Sequence, residues 1–171
     1  MRMTAAAIIL RLGRSQDARA VAIMSRDQIE FGLGWKYHPE HVCRLIRAPD
    51  TVTLVASDRG RVAGFAIMEF GDEHGHLVLL AVRPEYQRQG IGRRMIDWLL
   101  ESCATAGIAL VHLELRASNE AARTFYRAVG FRETRLVPRY YCSRESAICM
   151  VRTLRSTGFL RVNWQPPAVR A

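Results

Sequence analysis

The sequence has almost no lysine: of its 25 basic residues only Lys36 is one, and the arginines are scattered along the chain. No basic helix and no basic patch interleaved with aromatics stands out, which argues against a nucleic-acid-binding surface. The net charge of +9 nevertheless favours an anionic ligand such as a nucleotide. No apolar run approaches the roughly 18 residues that a membrane-spanning helix needs. The short apolar stretch Thr4–Leu10 is followed by Arg11 and Arg14 where a signal peptide would carry a small-residue cleavage site, so it reads as the approach to a first strand. The four cysteines (Cys43, Cys103, Cys142, Cys149) form no CxxC pair and have no histidine cluster at zinc spacing. Neither a disulfide framework nor a metal site is expected. Apolar neighbours such as Ala147-Ile148 and Met150 around Cys149 suggest reduced, mostly buried thiols in a cytoplasmic protein. There is no internal repeat and no low-complexity block.

What is present is the pattern of a globular domain. The chain has 171 residues, 49% of them hydrophobic, enough for one domain with a sizeable core. Ile8–Leu12 reads as a strand, and Ser15 as the cap of a helix running to about Phe31. Gly32-Leu33-Gly34 breaks that helix, and Pro39 opens another that ends near Arg47. Thr51–Ser57 and Arg61–Phe70 form a hairpin across Asp58-Arg59-Gly60, followed by a strand at His76–Val82. A helix from Gly90 to Ala106 carries the stripe Ile91, Met95, Ile96, Leu99, Leu100 and Cys103, and Gly107 stops it. Leu110–Arg116 is a strand. Ser118 or Asn119 caps a helix that ends at Gly130, and two more strands lie near Phe131–Leu136 and Ser146–Thr153. This order predicts an α/β (α+β) domain: a mixed sheet with helices on both faces, in residues 1–155. Residues 156–171, with Gly158 and Pro166-Pro167, read as a C-terminal tail.

The chemistry concentrates after the third strand of this pattern, in Leu80-Ala81-Val82-Arg83-Pro84-Glu85-Tyr86-Gln87-Arg88-Gln89-Gly90-Ile91-Gly92-Arg93. A strand, a loop and a helix start follow one another there. A helix start offers unpaired N–H groups and partial positive charge to a phosphate, the glycines let it approach, and Arg88 and Arg93 add charge. The Gly-Lys-Ser/Thr of a Walker A loop is absent, and Arg94-Met95 stand where a Rossmann fingerprint needs its third glycine.

Downstream, Asn119, Ala122, Tyr126 and Gly130-Phe131 complete a second pattern. Together with Gln87, Gly90 and Gly92 they resemble the GNAT superfamily of N-acetyltransferases, firmly over residues 76–132 and more loosely from Ile8 to Gly71. The resemblance implies a mostly antiparallel sheet of six to seven strands, with acetyl-CoA as co-substrate and no metal. It implies that Leu80, Ala81 and Val82 hold the thioester and pantetheine arm through their backbone, and that residues 87–93 (Gln87, Arg88, Gln89, Gly90, Ile91, Gly92, Arg93) hold the pyrophosphate. Asn119 would then bond the pantetheine chain. Arg123 and Arg127 lie one turn apart, either within reach of the nucleotide phosphates or simply solvated.

Two residues are candidates for the chemistry. His112, Glu114 and Arg116 share one face of their strand, and Glu114 is the first candidate for the base that deprotonates the amine. Glu69, Glu73 and His74 are alternatives, and a salt bridge to Arg116 is the structural alternative for Glu114. Tyr126 is the candidate acid for the departing thiolate, since a thiol near 8.5 and a phenol near 10 are nearly balanced. A narrower similarity, Leu113–Asn119 with Arg139-Tyr140-Tyr141 and Arg144–Ala147, is to the ribosomal-protein-alanine N-acetyltransferases. It implies an acceptor that is a peptide or protein N-terminus, with Tyr140 and Tyr141 lining its groove, the alternative being a strand pair that points one in and one out. Trp35 and Tyr37 are candidates for the opposite wall, or for a hydrophobic lid over the core. The chain departs from that type at Phe31–Pro39, where a Phe-Pro-Trp loop would stand. A small amine (polyamine, amino acid or antibiotic) and a non-catalytic acyl-CoA-binding module are the alternatives. Edge strands near the C-terminus would allow a homodimer.

Overall fold

In the computed structural model, which describes residues 8–155, the hairpin strand Arg61–Phe70 buries seven consecutive residues, Val62 to Met68. A strand apolar on both faces must be covered on both faces, and the alternation along it separates two cores. Ala66 and Met68 join a cluster with Ile91, Met95, Ile96, Leu99 and Tyr126; Phe65 and Ile67 join another with Val21, Ala22, Met24 and Val42.

The elements are β1 (Ile9–Leu12), α1 (Ala18–Gln28), α2 (Pro39–Arg47), β2 (Thr51–Asp58), β3 (Arg61–Phe70), β4 (His74–Val82), α3 (Ile91–Thr105), β5 (Leu110–Arg116), α4 (Glu120–Ala128), β6 (Arg132–Tyr141) and β7 (Glu145–Thr153). The seven strands lie in the order β1-β2-β3-β4-β5-β7-β6, with α1 and α2 on one face and α3 and α4 on the other. This is the architecture the sequence led us to expect. All six residues of the α3 stripe are buried. No helix among the described residues is long and apolar enough to cross a membrane. The expected tail at 156–171 lies outside the described residues.

Some boundaries differ. Helix α1 ends at Gln28 rather than Phe31, and a short 3-10 turn, Ser15–Asp17, precedes it. Ser15 is not its cap. The Asp17 carboxylate accepts from Arg14 N at 2.7 Å and is held by the Arg11 guanidinium, which lowers its pKa. Strand β6 runs five residues past Leu136, through Pro138 to Tyr141. Pro138 is tolerated because β6 is an edge strand.

One feature of the sheet positions the site. Strands β4 and β5 are its parallel neighbours, and they pair only at His74–Leu110, Gly75–Val111 and His76–His112. Beyond His76, β4 stays with β3 as far as Val82, whereas β5 stays with β7 as far as Arg116. The two strands therefore splay, and a cleft opens between them.

Candidate active site

The mouth of the cleft is the β4–α3 connection. Gly90 caps α3 in the left-handed region (φ 78°), a conformation cheap only for glycine, with open space around its Cα. Ile91 is buried and anchors the first turn. Gly92 has a different reason to be glycine: a Cβ there would lie 3.2 Å from the Phe125 ring, so its absence lets α3 and α4 approach. Gln87 donates to Val82 O at 2.9 Å and Gln89 to Glu85 O at 3.2 Å, fixing the loop. Arg93 donates to Ala128 O at 3.0 Å, at the C-terminal end of α4, while Arg88 is exposed. Leu80, Ala81 and Val82 follow the splay, so one backbone edge of β4 lacks a β5 partner there. The arrangement fits a CoA-like group: free strand backbone along Leu80–Val82 leads to a helix start whose glycine leaves it open.

Helix α4 closes one side. Asn119 is its N-cap, its side chain accepting from Ala122 N at 3.0 Å. Arg123 and Arg127 both pair with Glu133. Tyr126 is 8% exposed and packs edge-on against Phe125 and Phe131. Burial pushes its hydroxyl pKa up, so the near balance with a thiol expected from an ordinary phenol is not kept: the phenol holds its proton firmly, and only a thiolate developing directly against it could draw that proton away.

Where the strands part, polar side chains gather on one face. The register sets Glu69 of β3, His76 of β4 and His112 of β5 in a row, and the two-residue period adds Glu114. His76 Nε2 lies 2.8 Å from Glu114 Oε2, and its Nδ1 lies 3.9 Å from Glu69 Oε2. Glu114 thus pairs with His76. Arg116, the partner weighed in the sequence, instead pairs with Glu145 at 3.1 Å. The His76 ring lies flat on that of His112, centroids 4.5 Å apart and planes 10° apart. Burial above all, and then the charge of His76, lowers the His112 pKa to about 4. Nitrogen and oxygen atoms of His76, His112 and Glu114 come within 4.8 Å of one another. Imidazole lone pairs lie in the ring plane, however, and two nearly parallel planes do not converge on one ion; the trio is a hydrogen-bonded pair on a stacked base.

Three tyrosines surround Glu114 electrostatically. Burial, and then the Glu114 charge, pushes Tyr140 up to about 12. Tyr37 and Tyr141 are raised further, by burial first and then by neighbours that include Glu114. The rings of Tyr140 and Tyr141 meet edge-to-face at 4.9 Å. They are not one in and one out as a regular strand would place them, because β6 slips register between Val137 and Tyr141, where Arg139 has φ 54°. Trp35 donates to Tyr37 O at 3.0 Å and packs on the α1–α2 side. The loop from Phe31 to Pro39 is held from within. The buried Glu30 carboxylate accepts from Ser25 Oγ, Lys36 N and Tyr37 N, and Arg116 donates to Ile29 O and Phe31 O. Sequence reasoning missed His76, Glu30 and the reach of Arg116. His76 sits at an alternating position of an apolar strand, but only the β4–β5 register reveals what it faces. Glu73 precedes β4 and His74 opens it; among the described residues Glu114 pairs with His76 and not with either of them.

The acetyltransferase (GNAT) family model matches residues 21–131, and the chain belongs to this family. The [Ribosomal protein bS18]-alanine N-acetyltransferase of Escherichia coli K12 is 39% identical over 97 residues, 55% of this chain and 66% of that protein, so the match spans just under two thirds of the relative. The crystal structure of the ribosomal-protein-S18-alanine N-acetyltransferase from Escherichia coli superposes with a TM-score of 0.76 at 26% identity, covering 93% of this chain and 99% of that one. Arabidopsis thaliana NAA60, solved with acetyl-CoA, shares the fold (TM-score 0.77, 18% identity, 86% and 99% covered).

Proposed function

We propose that this chain transfers an acetyl group from acetyl-CoA to the α-amine at the N-terminus of a peptide or protein, by direct attack in a ternary complex. The observation that carries the reading is the splay of β4 from β5, with a glycine-opened helix start at its mouth and a carboxylate–imidazole pair at its base. Family membership supports the reaction type, and the relatives' bS18-alanine acetyltransferase activity supports the acceptor. We take residues 1–155 as the transferase domain; the free cysteines, two of them buried, agree with a cytoplasmic setting.

The bound thioester supplies the activated acyl group. The unpaired backbone edge at Leu80–Val82 orients its carbonyl and stabilises the developing oxyanion; one such donor is worth roughly 2.7–4 kcal/mol in a well-studied enzyme. Residues 87–93 bind the pyrophosphate, and Asn119 fixes the start of α4 alongside the pantetheine arm. The amine's proton is taken up at the Glu114–His76 pair. Tyr126 gives its phenolic proton to the departing sulfur. Tyr37, Tyr140 and Tyr141 line the acceptor groove around Glu114, and Trp35 backs Tyr37.

Thiol release from acetyl-CoA, followed across N-terminal peptides and small amines, tests the reading. Tyr126→Phe is expected to lower kcat by about 10²–10⁴-fold while acetyl-CoA binding persists. Turnover of small amines alone overturns the acceptor assignment. Acetyl-CoA binding with no turnover of any amine overturns the transferase reading in favour of a binding module.

A further inference from the structure

The pair at the base of the cleft has an order that the family resemblance did not supply. The side chain of Glu114 is 7% exposed, whereas that of His76, in front of it, is 31% exposed. An amine entering from solvent meets the imidazole first. Behind the imidazole stands the carboxylate, 2.8 Å from Nε2. This is the geometry of a buried acid that fixes a histidine's tautomer and leaves the histidine to do the proton transfer.

We infer that His76 is the general base of this site and that Glu114 is its positioning residue. The assignment rests on the acetyltransferase reading above. With Nε2–H donating to Glu114 Oε2, the lone pair lies on Nδ1, on the side facing Glu69. The acceptor arrives as an ammonium, drawn by the Glu69 carboxylate, which is 47% exposed. Its N–H bond breaks, the electron pair stays on the amine nitrogen, and the proton adds to Nδ1. The imidazolium, between two carboxylates, releases this proton to water; the neutral amine attacks the thioester carbonyl, the C–S bond breaks, Tyr126 protonates the sulfur, and the second proton shed by the nitrogen restores the Tyr126 phenol.

The chemistry favours the imidazole over the carboxylate as the acceptor of that proton. As a class, imidazoles are closer in basicity to an α-amine than carboxylates are, and proton transfer is most effective between groups of similar basicity. The groups facing His76 from the neighbouring strands are Glu69 on β3 and His112 and Glu114 on β5; Tyr37, Tyr140 and Tyr141 stand around Glu114. Burial keeps the stacked His112 neutral and the tyrosine hydroxyls protonated; the carboxylates facing His76 are Glu69 and Glu114, and His74 on its own strand also acts on the His112 ring.

The test uses the full chain and whichever acceptor the wild type turns over. His76→Gln should lower turnover near neutral pH by about 10²–10⁴-fold, with acetyl-CoA binding by calorimetry unchanged. The deficit should shrink to about tenfold or less near pH 9, where the acceptor amine is already neutral and needs no base. Glu114→Gln, whose amide oxygen still accepts from Nε2, should keep more activity near neutral pH than His76→Gln. Near-wild-type turnover in His76→Gln, a deficit that does not change with pH, or the reverse ranking of the two variants would each overturn the assignment. Ring ¹⁵N shifts of His76 in the wild type give a readout independent of mutagenesis. A proton on Nε2 with bare Nδ1 is expected, and the opposite tautomer overturns the proposal. If the wild type itself releases no thiol with any amine, the transferase reading fails, and this assignment fails with it.

Discussion

His112 should make this protein lose stability as the pH falls through a defined window. Its ring is 7% exposed beneath His76, and burial lowers its pKa from 6.5 to about 4. Between those values the unfolded chain binds a proton that the folded chain refuses. Unfolding therefore takes up a proton, and stability rises with pH across the window. The contribution is complete above about 6.5 and is lost as the pH drops toward 4. At about 1.36 kcal/mol per unit, complete burial would set the limit near 3.4 kcal/mol. His76 above it is 31% exposed, so solvent screens part of this, and about half of it is the reasonable expectation. Between about pH 7 and pH 5 the loss should be roughly 1 kcal/mol. His112→Phe keeps the stack and removes the titration. Urea unfolding of both proteins at the two pH values measures the difference. The wild type should lose about 1 kcal/mol more than the variant; parallel losses would refute the account of His112 as a ring held neutral by burial.

Two further outcomes follow from the packing around the site. Gly92→Val places a branched side chain against Phe125, where even a Cβ lies at 3.2 Å; overpacking of this kind costs about 1–3 kcal/mol, and thermal unfolding together with the Kd for CoA should show both a lower Tm and weaker binding. Glu30→Ala strips the acceptor from Ser25 Oγ and from the backbone of Lys36 and Tyr37; a loss of about 1.5–3 kcal/mol is expected, and the KM for a peptide acceptor should rise more than the KM for acetyl-CoA, a split that steady-state kinetics resolves.

The α3 stripe was readable because a 3.6-residue period writes burial directly into the sequence, and all six of its residues are buried. The glycine stops at Gly107 and Gly130 were readable for an equally local reason: both adopt positive φ. The motif Gln87–Gly92 announced a helix start because the left-handed backbone at Gly90 is a local requirement, whereas the packing of Gly92 against Phe125 was invisible until α4 was in place. The slip in β6 that turns Tyr140 and Tyr141 to one side depends on a backbone conformation at Arg139 that its residue type does not favour. Period-two reasoning put His112, Glu114 and Arg116 on one face of β5, and that held. It could not say what stood opposite. Local pattern was enough for the elements, most of their buried faces and the glycine-opened helix start at Gly90, because each depends on residues within a few positions of one another. Long-range pairing settles that β4 and β5 part after His76, that His76 rather than Arg116 meets Glu114, and that Glu30 and Arg116 hold the loop from Phe31 to Pro39. Those contacts join residues between 6 and 87 positions apart, and strand register, not local preference, brings most of them together.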